Sequence, residues 1–164
     1  MSASSAATVA RRPWSFTTVL WIGLIAGTLD ISDNLVYNAL RGVTPAMVFR
    51  FIASGLVGVA AVQTGWAPVG LGVFLHYFIA FSWTAIFYAS ARKFAFLVRR
   101  PVLSGLVYGG FVYLFMNVVV VPLSRVPHLT RHISLAAHIN AVLSVVIFVG
   151  LVPSLLVRRG SARG

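Results

Sequence analysis

The chain has 164 residues, of which 59% are hydrophobic and 9% charged, and its mean hydropathy is +0.94, a composition that a soluble domain of this length does not carry. Thirteen Lys and Arg residues against two Asp give a net charge of +11, but the cations sit in short clusters at the ends of apolar runs rather than along one solvated face, which argues against nucleic acid and for anionic lipid headgroups as the partner. The absence of cysteine excludes disulfides, thiolate metal sites and cysteine nucleophiles.

Residues 1–13 read as a small, polar, disordered tail that ends in Arg11-Arg12 before a long apolar run. The pattern imitates an export signal. The run continues past Asp30 without a small-residue cleavage site, however, so it is read as a retained first transmembrane helix.

Apolar stretches follow at Trp14–Leu40, Pro45–Val62, Pro68–Ala91, Pro101–Val121 and Ser134–Val157, each long enough to cross a bilayer. Thr44-Pro45 looks like an N-cap with proline at the first helical position, and Pro68 and Pro101 open their helices in the same way. Pro153 falls inside the last stretch and should kink it. The expectation is an all-α polytopic transmembrane bundle of about five helices: a tail over 1–13, one helical domain over 14–159 and a basic tail over 160–164. Short loops make sequence neighbours antiparallel.

Five crossings would put the termini on opposite sides. With the C-terminus in the cytoplasm, nine cations lie inside and Arg11, Arg12, Arg125 and Arg131 outside, so the positive-inside rule favours an external N-terminus, against the pull of Arg11-Arg12. Trp14 and Trp66 would then both sit in the outer aromatic belt.

The only two acids, Asp30 and Asp33, lie within the first apolar run, where an ionisable group is costly and has a partner or a task. Gly23, Gly27, Asp30 and Asn34 share one helical face, and Arg50, Ser54 and Gly58 form a stripe on the second helix. Asp33 and Arg50 come at similar depth, so an ion pair between Arg50 and one or both aspartates is expected. It would lock the first two helices together, or leave one carboxylate free to bind a proton or a cation.

His76, Asn117 and His138 approach the outer side of three different helices and are expected, with Asn34 and Ser54, to supply polar cluster contacts. Bis-histidine haem ligation by His76 and His138 would need equal depth, and counting from the helix ends leaves a mismatch of about 6 Å. His128 and His132 are four apart, but no carboxylate or thiol accompanies them, so no metal site is assigned. Gly105 and Gly109 permit close helix approach, within the chain or in a homo-oligomer. Arg92, Lys93, Arg99 and Arg100 bracket an apolar middle, a pattern for the headgroup region.

Glutamate is absent, as are a phosphate-binding glycine loop, a nucleophile elbow and a zinc-binding His-Glu-x-x-His, so a non-enzymatic role with no cofactor is expected. A small transporter or proton-coupled channel using Asp30 and Asp33, of unknown substrate, is the alternative, and a haem- or quinone-associated redox subunit a further one.

The order of residues from His76 to Arg159 resembles the YagU-like group of uncharacterised bacterial inner-membrane proteins: a histidine-bearing helix ending in Tyr88, the Gly105/Gly109 helix, Asn117, Pro122-Leu123, His138 and a terminal Arg158-Arg159. The resemblance covers the second half of the chain and excludes the Asp30/Asp33 segment. It implies a small bacterial inner-membrane protein with no assigned activity, and it carries over no catalytic residue.

Overall fold

The computed structural model describes residues 15–126 and 134–162, with side chains described as far as Gly160. The expectations for Arg11, Arg12, Trp14, His128, Arg131, His132 and Arg163 lie outside the described residues. Within them the chain is an all-α bundle without strands: α1 (Phe16–Ala39), α2 (Pro45–Val57), α3 (Ala67–Lys93), the short α4 (Ala95–Arg99), α5 (Pro101–Leu123) and α6 (Leu135–Gly160).

Local chemistry fixes the starts. Ser15 caps α1, its hydroxyl accepting from the Thr18 amide at 3.2 Å. Thr44 and Ser134 do the same for α2 and α6, through the amides of Met47 and Ala137 at 3.4 and 3.3 Å. Proline occupies the first turns of α2, α3 and α5, where its missing N–H costs no hydrogen bond. Two further prolines, Pro122 and Pro153, lie inside helices, and each follows a π-helical stretch, Met116–Val120 in α5 and Val145–Leu151 in α6. A proline deprives the carbonyl four residues earlier of its donor. The wider π turn falls where that carbonyl is, so the interruption is absorbed locally and the helix continues.

Four of these helices, α1, α3, α5 and α6, are long and apolar enough to cross a membrane. α2 is not. Its 13 residues rise about 20 Å, short of a hydrocarbon core of about 30 Å. The expected second crossing to Val62 stops at Val57, because Gly58 takes a φ of +86°, a conformation that ends the helix and favours glycine.

The four long helices run up, down, up and down. From Gly23 to Thr28 on α1, the partners on α3 run backward from Phe81 to Tyr77, so α1 and α3 are antiparallel neighbours. The segment from Leu40 to Trp66, α2 included, therefore leaves and rejoins the bundle at the same end. α3 and α5 pair through a ring ladder: Phe87 stands 4.9 Å from Tyr108, Trp83 stands 5.3 Å from Phe115, and the Tyr108 hydroxyl donates to the Trp83 carbonyl at 2.6 Å. α5 and α6 pack backbone to backbone, since a Cβ on Gly105 or Gly109 would stand 2.7 Å from the Leu151 Cα or 2.5 Å from the Val146 Cα. The close approach expected of these glycines is thus made within the chain. Finally α6 returns against α1, and Val157 joins Val19, Ile22, Phe87, Tyr88 and Ala91 in one buried cluster.

That cluster holds the start of α1 and the end of α6 together. Four long helices in alternating direction bring the two ends of the described chain to the same end of the bundle. The even number removes the reason for expecting termini on opposite sides. Around the bundle, side chains such as Trp21, Phe74, Val107 and Val118 stand well exposed, the pattern of a surface that meets lipid.

Candidate functional site

Asp30 and Asp33 lie three residues apart on α1, where it turns from α3 toward α6. The glycines one and two turns earlier, Gly23 and Gly27, face α3, against Phe81 and against Ala80 and Tyr77. The acids meet α6: Ser144 Oγ donates to Asp30 Oδ1 at 2.9 Å, and Asn140 Nδ2 donates to Asp33 Oδ2 at 3.0 Å. Because α1 and α6 are antiparallel, the ascending pair Asp30, Asp33 matches the descending pair Ser144, Asn140. Both acids are half-buried.

The expected ion pair with Arg50 does not form. The Arg50 side chain instead donates from Nη2 to the Gly65 carbonyl at 2.8 Å, and its Nε is buried without a partner among the described residues. α2 packs chiefly on α3, with Phe49 against Gly72, rather than on α1. Neutral donors on α6 take the position that a cation on α2 was expected to fill.

Beside Asp30 the helices line a partly open cavity of about 380 Å³. α2 contributes Phe51, Ile52, Gly55 and Leu56 to its wall, α3 Ile79 and Trp83, α5 Val112 and Met116, α6 Val145 and Val149. Polar side chains on the wall are few: Asp30, His76 and, near the α2 end, Ser124. Gly55 is tied into this wall by its carbonyl, which accepts from the Arg125 amide at 2.9 Å.

His76 reaches across from α3 to α1, where Nε2 lies 2.8 Å from the Gly27 carbonyl oxygen. A carbonyl oxygen can only accept, so Nε2 carries the proton and donates. Nδ1 bonds to no described residue, and in the neutral imidazole it is an acceptor.

The remaining members of the expected polar cluster are not brought together. Asn34 accepts from Asn38 Nδ2 one turn on, Ser54 donates to Phe51, and Asn117 donates to Tyr113, all within their own helices. His138 is exposed at the start of α6, its Nδ1 3.4 Å from the Ser134 carbonyl. The physical reason is common to all four. A helix offers each short polar side chain a carbonyl or side chain one turn away, so no partner from another helix is required. Among the described residues no group of three or more His, Cys, Asp or Glu is placed to hold a metal ion.

The basic segment after α3 bends at Phe94, which is extended, and continues as α4. Leu97 and Val98 pack onto the cluster around Val19 and Phe87, while Phe94, Phe96, Lys93, Arg99 and Arg100 are exposed. Arg92, Lys93, Arg99, Arg100, Arg158 and Arg159 therefore gather at the bundle end where α1 begins and α6 finishes. Arg41, Arg50 and Arg125 belong to the opposite end, and Arg41 stacks over the Tyr37 ring at 3.8 Å.

Neither Ser144 nor Asn140 was expected from the sequence as a partner of the two acids. The signal was there. They are among the few polar residues of α6, spaced four apart, and so share a face that two acids spaced three apart can meet in an antiparallel neighbour. Comparison with known protein families, with curated proteins and with solved structures returns no match in any of the three.

Proposed function

We propose that this is a non-enzymatic four-span membrane protein that admits a small, largely apolar molecule to the cavity beside Asp30, as a small transporter or membrane ligand-binding protein does. The cavity carries the reading: about 380 Å³ of apolar wall with Asp30 and His76 as its inward polar points is the usual build of a small-molecule site. An intramembrane carboxylate beside such a space, with only one oxygen satisfied by Ser144, is expensive to keep unless the site uses it. The one hydroxyl among the described residues of the wall, that of Ser124, donates to the Val121 carbonyl rather than to His76, which supports binding rather than chemistry.

Orientation follows from the cations. The end bearing Arg92, Lys93, Arg99, Arg100, Arg158 and Arg159 is assigned to the cytoplasm, on anionic headgroups of a bacterial inner membrane. Both chain ends then face the cytoplasm, and Arg11-Arg12 no longer conflicts with the rule. This replaces the external N-terminus that five crossings required. The inner-membrane assignment agrees with the YagU-like resemblance of residues 76–159.

Trp83 on the cavity wall gives a direct test. In a variant with Trp14, Trp21 and Trp66 replaced by Phe, bromobenzene should quench the remaining tryptophan saturably. Ile52→Phe, which narrows the cavity from α2, should weaken that quenching severalfold. Quenching that only rises linearly with bromobenzene, as simple partitioning gives, would overturn the proposal.

A further inference from the structure

We infer that the ligand of this cavity is a lipophilic organic cation, a quaternary ammonium or protonated amine carried on an aromatic or aliphatic body, held by Asp30. The inference rests on the ligand-binding reading above and adds the charge of the occupant.

Four observations point the same way. Asp30 lines the cavity with one carboxylate oxygen, Oδ1, on Ser144, while Oδ2 accepts from no described residue. Among the described residues no Lys or Arg lines the wall, and Arg50, the nearest candidate on α2, is turned to Gly65. The second polar group, His76, has spent its Nε2 proton on Gly27, so that the neutral ring has an acceptor left and no donor. Trp83 and Phe51 are aromatic residues of the same wall, and aromatic rings favour a cation over a neutral molecule of equal shape. The cavity thus offers acceptors and negative charge. A carboxylate or phosphate ligand would meet only like charge, and an uncharged hydrocarbon would leave Asp30 Oδ2 unsatisfied.

A proton competes for the same oxygen. The groups that bear on it are Asp33 on its own helix, held by Asn140, and His76 from α3; α6 presents the neutral Ser144, and α2 and α5 present no ionisable side chain to the cavity. Cation binding should therefore release protons at low pH and weaken as the medium is acidified. Such exchange is the elementary step of proton-coupled export.

Benzyltrimethylammonium and neopentylbenzene, isosteres that differ in one positive charge, make the test. Binding to the full chain in lipid nanodiscs is followed by displacement of bromobenzene from Trp83. The cation should bind at least tenfold more tightly than its uncharged twin at pH 8, and the preference should fall to within twofold in Asp30→Asn, which keeps an acceptor for Ser144. Asp33→Asn, whose partner is Asn140 outside the cavity wall, should retain most of the preference. Acidification of the wild type should erode it as well, which keeps the test meaningful should Asp30→Asn fail to fold. Equal binding of both twins would overturn the cation assignment and leave the ligand-binding reading standing. Binding of neither, with no saturable quenching, would overturn both.

Discussion

Asp30 and Asp33 each rest one carboxylate oxygen on an uncharged donor from α6, at 2.9 and 3.0 Å, and neither takes a cation from α2. In hydrocarbon the requirement on a carboxylate is that its lone pairs be met, and a hydroxyl or amide meets them at a smaller desolvation cost than a guanidinium. Each such contact should be worth about 1 kcal/mol, the scale of interhelical hydrogen bonds in membranes. Ser144→Ala and Asn140→Ala are each expected to lower stability by about that amount in a denaturant titration from lipid or mild detergent. A double-mutant cycle separates this arrangement from the ion pair. Arg50→Ala and Asp33→Asn should be additive within about 0.5 kcal/mol, and a coupling well above 1 kcal/mol would reinstate Arg50 as the partner. From the sequence, the acids were legible as the unusual residues and their partners were not. Charge drew the eye to Arg50, whereas the antiparallel register of α1 and α6, which no local pattern encodes, selected Asn140 and Ser144.

At the scale of elements, the helix starts were legible because capping chemistry is local: Thr44-Pro45, Pro68, Pro101 and Ser134 all lie within a residue or so of observed starts. The end of α2 was not. Val59–Val62 after Gly58 is as apolar as the helix before it, so hydropathy runs on where the backbone has turned. Nor were the π stretches, although both lie just before an internal proline and could have been sought there. One close helix pair, α5 with α6, depends on glycines that leave no room for a side chain. Gly109→Leu would drive its side chain into the Val146 backbone, which cannot yield as a side-chain tip can. We expect a loss of at least 2 to 3 kcal/mol, about the upper range for overpacking, read as a lower denaturation midpoint. Gly110→Leu, one residue on and facing open space, should cost little. Similar losses at the two positions would mean that α5 and α6 do not pack by this face.

At the scale of the whole molecule, the unresolved tension in the sequence was one of parity. Five apolar stretches demanded ends on opposite sides, yet Arg11-Arg12 and the cations after Lys93 asked to lie on the same side. Treating the segment from Leu40 to Trp66 as an excursion that departs and returns at one end, and lines the cavity with α2 on the way, removes the conflict. The chain has no cysteine, so single-cysteine labelling of the native sequence is clean. Leu40→Cys should react with a membrane-impermeant maleimide in intact cells with a permeable outer envelope. Phe96→Cys and Gly160→Cys should react only after the inner membrane is opened, and fluorescent reporters fused to either chain end should both light up in the cytoplasm. Exchange of the two labelling patterns would reverse the orientation and preserve four crossings. Labelling of Leu40→Cys together with Phe96→Cys, or reporters active on opposite sides, would make α2 a full crossing. Its Phe51, Ile52 and Leu56 could not then line the same space as Asp30 and His76, and the cavity would go with it.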